Sequence, residues 1–249
     1  MYDFQKDNMW KRISAALFDI ILLSIVVVGS AFLIAVLLNY DGVEKHFFEI
    51  RESYETQYKI DFDVDPSTLT EEERVKYDEA EKALSTDTDA IKTYSMITSY
   101  RFIIVTFSVL IGYLVMEFLI PLLLKNGQTV GKKVFGIAVM REDGVRLSSV
   151  LLFVRTVLGK YTLETMIPVF ILMMLEIGAM GIIGLIIIAA ILIAQVVLLI
   201  ATKARTPLHD KLAHTVTVDF SSQLIFDTPE ELLAYKQRIH AEQVEAERE

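Results

Sequence analysis

The chain has no cysteine among its 249 residues. Disulfide bonds, thiolate metal sites and a cysteine nucleophile are therefore excluded. A cleavable signal peptide is not expected either, because the first apolar run is far longer than the roughly 7–15 residues of a signal h-region. We expect this run to be a membrane segment.

The motifs of soluble enzymes are also missing. The stretch from Gly127 to Lys132 has one residue too few for a phosphate-binding loop, and no serine or threonine follows its lysines. His209 and His214 are five residues apart, which does not place two metal ligands on one helix face. The sequence therefore predicts no enzyme activity, no metal site and no cofactor.

Long apolar runs dominate the chain, and 53% of its residues are hydrophobic. Residues 13–38, 102–124 and 178–201 each reach about 20 residues, the length needed to cross a bilayer. The apolar segment 165–175 is shorter. We therefore predict an all-α polytopic membrane protein with about four transmembrane helices, of which the third is short or re-entrant.

Basic residues flank these runs unevenly, and the positive-inside bias orients the chain. Lys11 and Arg12 precede the first run, and Lys125 and Lys203 follow the second and fourth, so both termini are predicted to be cytoplasmic. The predicted segments are a cytoplasmic N-terminus with the first transmembrane helix (1–40), an acidic extracytoplasmic helical loop (41–101), the second transmembrane helix (102–124), a cytoplasmic basic loop (125–161), the third and fourth membrane helices (162–202) and a cytoplasmic end with an acidic tail helix (203–249).

The loop 41–101 holds almost all of the net charge of −9. This concentration of acids argues against nucleic acid as a partner. Thr70 and Glu73 form the pattern of a capping box, and helices are predicted over 71–84 and 88–100. The acids could attract cations to a path or could form a solvated face.

The basic loop is predicted to contain a small β element on the cytoplasmic side. Residues 137–141 and 145–147 form a hairpin around Asp143-Gly144. Residues 215–218 alternate between polar and apolar and could join the same sheet.

Two helices are predicted beside this sheet. Thr129 can cap a short helix that ends at Gly136. Apolar residues recur at helical spacing over 150–161, with Arg155 and Lys160 among the polar positions. This pattern predicts an amphipathic helix that lies in the membrane interface.

Asp19 is the only charged residue inside the first run. A carboxylate in such a helix costs about 2.5–3.5 kcal/mol on insertion scales, so a partner is expected. Arg12 lies seven residues earlier, about two helical turns, and therefore on the same face. Two interpretations stay open. Asp19 is either a structural anchor that caps a neighbouring helix or pairs with a base, or it belongs to an ion or proton path.

Two further polar residues lie in the predicted spans. Glu117 follows Tyr113 by one turn, and Pro121 one turn later frees a backbone carbonyl near it. Gln195 is the one polar side chain of the fourth run. Asp19, Glu117 and Gln195 each lie roughly 10–12 Å from a basic helix end, which predicts one polar layer. Two carboxylates there would titrate as a pair, which suits proton-coupled cation binding with Tyr113 nearby.

Three blocks of sequence resemble the RDD family of prokaryotic membrane proteins. They are Arg12-x6-Asp19, NGQTVGKKVFGIAV at 126–139 and RTPLHDKLAHTVTV at 205–218. Arg12, Asp19 and Asp210 fall on the one Arg and two Asp for which the family is named. The supporting positions on the predicted cytoplasmic side are Gly127, Gly131, Lys132, Gly136, Arg155 and Arg205.

The resemblance covers residues 8–38 and 102–220. It implies a multi-pass protein of the prokaryotic plasma membrane, and cation/proton exchange has been suggested for some members. The loop 41–100 is longer than expected for the family, and 221–249 falls outside the resemblance.

Two function classes fit these observations. One is a cation/proton transporter whose path is enclosed by a homo-oligomer. The other is a non-catalytic scaffold or accessory subunit of a larger membrane complex, in which the polar layer is a helix–helix hydrogen-bond network. The expected partners are the lipid bilayer, monovalent cations with protons, and further copies or other subunits.

We expect single cysteines to report the predicted topology, because the chain has none of its own. In intact cells, a membrane-impermeant maleimide should label Ser67→Cys and should label Asp143→Cys only after permeabilisation. The reverse pattern would show that the orientation is inverted.

Overall fold

The structure is a computed structural model that describes residues 8–124, 127–202 and 205–246. The flanking bases Lys125 and Lys203, on which the predicted orientation relied, lie outside these ranges, as does Asn126 of the middle sequence block. Helices make up most of the described chain, and two short strands form one sheet.

Within these ranges, four helices are long and apolar enough to cross a membrane. They are α1 (Met9–Leu37), α4 (Thr88–Leu124), α6 (Ser149–Glu176) and α7 (Ile182–Ala201). These helices expose large apolar side chains, such as Phe32 and Ile193, and so much apolar surface is suited to lipid rather than water. The predicted fold class, an all-α polytopic membrane protein, is confirmed.

Helix α6 differs from the prediction. An interfacial helix ending near residue 161 and a short third span from 162 were expected, but one helix runs from Ser149 to Glu176. Its middle part, Val154–Met166, is π-helical. The three charged residues of that part do not interrupt the helix, because each contacts a charged or polar partner in the protein.

The chain divides into two compact units. The unit Val28–Ser108 contains helix α2 (Tyr40–Tyr58) and helix α3 (Glu71–Thr86) with parts of α1 and α4. Helix α2 was not among the predicted helices. Left-handed residues bound it at both ends, and they are Asn39 and Lys59 rather than glycine, so the usual sequence signal of a helix end is missing.

The capping box at the start of α3 is confirmed. Thr70 N donates to Glu73 Oε2 at 3.0 Å, and Glu73 N donates to Thr70 Oγ1 at 3.4 Å. Two backbone donors that the helix leaves open are thereby satisfied. The helix predicted over 88–100 is also present, as the first part of α4.

The second unit, which comprises the described residues of 1–27 and 109–249, contains the sheet. Strands β1 (Ile137–Arg141) and β2 (Thr215–Asp219) pair antiparallel, and Ala138, Met140, Val216 and Val218 form its buried cluster. The prediction of a third strand at 145–147 is wrong, because that segment makes only isolated bridges. Ser148 already caps the start of α6, so the chain leaves the extended conformation too early.

Three shorter helices complete the second unit: α5 (Val130–Val134), α8 (Leu208–Leu212) and α9 (Pro229–Ala246). Helix α5 begins at the predicted cap Thr129, whose Oγ1 accepts a hydrogen bond from Lys132 N at 3.3 Å. The chain turns after α5 at Gly136, which has a φ of 67°. Helix α9 is the predicted tail helix, and Pro229 is its first residue.

Helices α6 and α8 approach each other closely at Gly159. A Cβ atom added to Gly159 would lie 2.6 Å from the Cβ of His209 and 2.8 Å from its Cα. Only glycine therefore allows the backbone of α8 to approach α6 at this point. Gly29 in α1 is the opposite case, because a Cβ there would meet nothing within 4 Å.

We expect Gly159→Ala to destabilise the protein, because the new methyl group would push α8 away from α6. Overpacking of this kind costs about 1–3 kcal/mol. The control Gly29→Ala should be neutral or stabilising by up to about 1 kcal/mol, because alanine favours helix. Unfolding in detergent micelles measures both, and equal effects of the two variants would contradict the close contact.

Candidate functional site

A cavity of about 390 Å³ lies within the second unit. Helix α1 lines it with residues three or four positions apart, including Arg12, Ala16, Asp19 and Leu23. The expectation that Arg12 and Asp19 share one helix face is therefore confirmed. The acidic and basic residues that line the cavity are Arg12, Asp19, Glu117, Lys132, Arg155, Lys160, Glu164, Arg205, His209 and Asp210.

Asp19 is buried against the start of α5. Its Oδ1 accepts a hydrogen bond from Gly131 N at 2.8 Å, and its Oδ2 accepts one from the Thr129 hydroxyl. A Cβ atom on Gly131 would lie 2.9 Å from Asp19 Oδ1 and would collide with the carbonyl oxygen of Ala15. The missing side chain of Gly131 thus lets Asp19 cap a neighbouring helix, the contact foreseen in the structural interpretation.

Lys132 points into the same region from α5. Its Nζ is 3.3 Å from Thr129 Oγ1 and 4.0 Å from Asp19 Oδ2. Burial and the like charges of Lys160 and Arg155 lower the pKa of Lys132 to about 8, although Glu117 and Asp19 oppose this shift. The Lys132 ammonium therefore loses its proton at a lower pH than a lysine at a solvated surface does.

The backbone at Glu117 behaves as the sequence predicted. Residues Leu114–Leu119 form a π-helical segment of α4, and Pro121 provides no N–H to continue the ladder. The carbonyl oxygen of Glu117 instead accepts a hydrogen bond from Thr156 Oγ1 of α6 at 2.9 Å. A freed carbonyl thus joins α4 to α6.

The Glu117 carboxylate faces basic residues of α6. Its Oε2 is 2.7 Å from Lys160 Nζ and 4.0 Å from Arg155 Nη1. The Lys160 contact is a short, charge-assisted ion pair, and within the described ranges no other residue hydrogen-bonds this buried oxygen. Asp19 and Glu117 thus line one cavity as predicted, but each faces bases rather than forming a like-charge pair.

Gln195 and Tyr113 each make a hydrogen bond within this unit. Gln195 Oε1 accepts a hydrogen bond from Leu208 N at 3.1 Å, so this side chain fixes the start of α8. Tyr113 does line the cavity, and its hydroxyl is 2.8 Å from Thr165 Oγ1.

Asp210 pairs with Arg155, as expected for a carboxylate among bases. Arg155 Nε donates to Asp210 Oδ1 at 2.5 Å, and Thr215 Oγ1 donates to the same oxygen at 2.8 Å. Both charged side chains are 1% exposed. Burial alone would raise the pKa of Asp210, but Arg155, His209 and the hydrogen bonds outweigh it and hold the pKa well below its ordinary value.

His209 connects this pair to Glu164. Its Nδ1 is 2.8 Å from Glu164 Oε2, and its Nε2 is 3.2 Å from Arg155 Nη2. A guanidinium can only donate, so Nε2 is the acceptor and Nδ1 carries the proton. Burial and Arg155 lower the pKa of His209, while Asp210 and Glu164 oppose the shift, which agrees with a neutral imidazole.

Arg12 joins α1 to the sheet. Its Nη2 donates to the carbonyl oxygen of Thr217 in β2 at 2.7 Å, and its Nη1 donates to that of Arg205 at 3.1 Å. Gly127, like Gly136, has a positive φ, and the two glycines bound the turn and helix that carry Thr129.

Sequence reasoning missed Lys160 and Glu164 as partners of the site. With α-helical geometry, residues five apart point about 140° away from each other, at roughly 100° per residue. In a π-helix the hydrogen bonds join residues five apart, which brings such residues to one face. Arg155, Lys160 and Glu164 therefore reach one cavity. The sequence did carry one signal for these partners: charged residues in a segment long enough to span a membrane usually have a partner or a function.

A comparison with protein families found one matching model, described as the RDD family, over residues 7–214. The matched range includes Arg12, Asp19 and Asp210 and ends before α9. No curated protein and no solved structure gave a significant match.

We expect Asp210→Asn to destabilise the protein by about 3–5 kcal/mol, because it leaves Arg155 buried without its closest partner. Asp143→Asn is the matched control. It breaks an ion pair with Arg141 that is equally short but exposed, which should cost less than about 1 kcal/mol. Denaturation in detergent micelles gives both values. Similar small losses would mean that the buried pair does not hold the fold.

The same variant should change how stability depends on pH. The pKa of Asp210 is lower in the folded protein than the roughly 3.9 of an unfolded chain, so its contribution is complete above that value and is lost as the pH falls through the folded pKa. Asp210→Asn should therefore lose less stability than the wild type below about pH 4. Parallel acid profiles would contradict the lowered pKa.

Proposed function

The chain belongs to the RDD family, and we propose that it exchanges monovalent cations for protons across a membrane through the charged cavity. The process involves no covalent chemistry, so the protein is not an enzyme. It acts in the plasma membrane of a prokaryotic cell as a multi-pass protein with both termini cytoplasmic, which agrees with the basic flanks of its apolar runs.

One observation carries this function: Asp19 and Glu117 come from two different candidate spans and line one cavity. Ionisable residues within membrane segments are expensive and usually mark an ion or proton path. Glu117 Oε2 offers a buried oxygen whose one close partner among the described residues is the ammonium of Lys160. Monovalent metal cations are hard ions that prefer such oxygen ligands.

The distribution of charge also suits exchange rather than permanent binding. Lys132 and Lys160 already place ammonium groups next to the two carboxylates. An incoming cation must displace one of them or wait until a positive charge leaves, so cation entry and proton release are linked. The lowered pKa of Lys132 makes the resting charge of the cavity easy to change.

Four helices provide little protein to enclose a path, so we propose that a homo-oligomer or a larger membrane complex encloses it. The surrounding bilayer covers the exposed apolar faces of the spans. The cavity itself lies within one chain, so further copies would supply the remaining walls of the path rather than the ligands.

A scaffold role is the second candidate, and the cap that Asp19 makes on α5 favours it. A scaffold needs that contact and the buried pair of Asp210 with Arg155, because they fix the sheet to the helices. It does not need the carboxylate of Glu117 to line a cavity. The two functions therefore differ in whether replacing Glu117 changes an ion flux.

Flux measurements in proteoliposomes test the proposal. With a pH dye inside, external Na⁺, K⁺ or Li⁺ should make the interior alkaline, because protons leave as cations enter. We expect Glu117→Gln and Asp19→Asn to lower the rate at least about tenfold, which corresponds to about 1.4 kcal/mol. Both amides keep the size of the side chain, but Glu117→Gln leaves Lys160 without its counter-charge, so each variant is first shown to be folded by its melting temperature in detergent micelles.

Glu142→Gln is the control for these variants, because Glu142 is a partly exposed acid away from the cavity. It should leave the flux unchanged. A wild-type protein that moves none of the three cations would favour the scaffold. Normal flux in both Asp19→Asn and Glu117→Gln would remove the carboxylates from the path.

A further inference from the structure

His209 is placed to respond to protonation. Its imidazole lies between Glu164 and Arg155, and its Nε2 accepts from the guanidinium at 3.2 Å. It lines the cavity that contains Asp19 and Glu117, so a proton can reach it from the same space as a cation. It contacts neither of these two carboxylates in the described structure.

A second proton would reverse the contact with Arg155. Nε2 would become a charged donor that faces a guanidinium, and two positive charges at 3.2 Å in a buried site repel strongly. The bond from Nδ1 to Glu164 would strengthen, which holds the imidazolium in place. Asp210 Oδ2, 3.7 Å from Nε2, would attract the imidazolium and compete with Arg155. The guanidinium is the group that must move.

Glu117 is the acid toward which Arg155 can move. Arg155 Nη1 is 4.0 Å from Glu117 Oε2, and a charge-assisted hydrogen bond needs about 2.7–2.9 Å. A shift of little more than about 1 Å would therefore give this oxygen a second charge-assisted hydrogen bond, beside its contact with Lys160. Glu117 would then be held by Arg155 and Lys160 together and would be closed to a further cation.

Other charged groups also surround His209. Lys160 of α6 adds positive charge, and Lys211 of α8 is half exposed and pairs with Glu142. The remaining charged groups of the cavity come from α1, α4, α5 and the segment before α8, and they are Arg12, Asp19, Glu117, Lys132 and Arg205.

We propose that His209 is the proton site of the exchange and that Arg155 transmits its charge to Glu117, so that a protonated His209 and a cation bound at Glu117 exclude each other. This inference rests on the proposed function and names its proton-binding residue. One proton leaves Nε2 of His209 for water in the cavity, and one monovalent cation binds Glu117. The net charge of the cavity is unchanged, and the reverse step releases the cation.

Cation-dependent stability of the full-length protein in detergent micelles tests the exclusion. The melting temperature is measured with NaCl, KCl or LiCl against choline chloride of equal ionic strength, at about pH 5.5 and about pH 8.5, either side of the ordinary histidine pKa. A bound cation stabilises the folded state. We expect apparent affinity to be about fivefold or more weaker at the lower pH, the usual range of coupling between sites.

Two histidine variants make this test specific. Glutamine at position 209 can accept from Arg155 and donate to Glu164 as neutral histidine does, so His209→Gln should bind the cation equally at both pH values. The control is His214→Gln, because His214 is exposed and lies 3.9 Å from Glu142. It should keep the pH dependence of the wild type.

A reciprocal measurement does not depend on a variant that folds. Linkage requires the cation to lower the pKa of His209 by the same factor by which the proton weakens cation binding. The imidazole proton signals of the four histidines can be titrated by NMR in choline and in the best of the three salts. A buried histidine whose titration ignores the cation would overturn the coupling.

The outcomes separate the two proposals. If His209→Gln keeps the pH dependence of the wild type, His209 is not the proton site, while the exchange function stands. If the wild type shows no cation-dependent stability at either pH and no flux in proteoliposomes, both proposals fail. If the cation binds equally at both pH values in the wild type, binding is real but the exclusion is not.

Discussion

A guanidinium that leaves water must find compensating charge, and Arg155 is where this fold meets that requirement. The side chain is almost completely buried in a helix long and apolar enough to span a membrane. Its desolvation costs several kcal/mol, which only close opposite charge can offset. Asp210 supplies that charge at 2.5 Å, and it can do so only if α8 packs on α6 at Gly159. Thr215, which also bonds Asp210, brings β2 into the same arrangement.

The two interpretations of Asp19 are not exclusive in this geometry. One carboxylate oxygen accepts from Gly131 N, and the other accepts from the Thr129 hydroxyl and lies 4.0 Å from Lys132 Nζ. These hydrogen bonds fix α5 to α1, and in the proposed exchange a cation would share the charge that faces Lys132. In Glu117 the backbone carbonyl joins α4 to α6, while the carboxylate faces the cavity.

Much of the fold could be predicted because its signals are local. The apolar runs gave the spans, and the pair Thr70 and Glu73 gave the start of α3. Three features could not be read in this way. Helix α2 is bounded by Asn39 and Lys59 in left-handed conformations that their identities do not require. The segment 145–147 has strand character but is overruled by the cap at Ser148. The partners Lys160 and Glu164 were not predicted, because their spacing from Arg155 places them on one face of a π-helix but not of an α-helix.

The π-helical stretch of α6 makes the number of residues between Arg155 and Glu164 as informative as their identities. Removing one residue between Arg155 and Glu164 would change the angle between their side chains about the helix axis, and Glu164 would then leave the imidazole of His209. Substitutions that keep the length can be absorbed by a side chain, whereas a change of length cannot. In an alignment of related chains, a gap between these two residues would therefore mark a protein in which this charged cavity is built differently, even if every named residue were present.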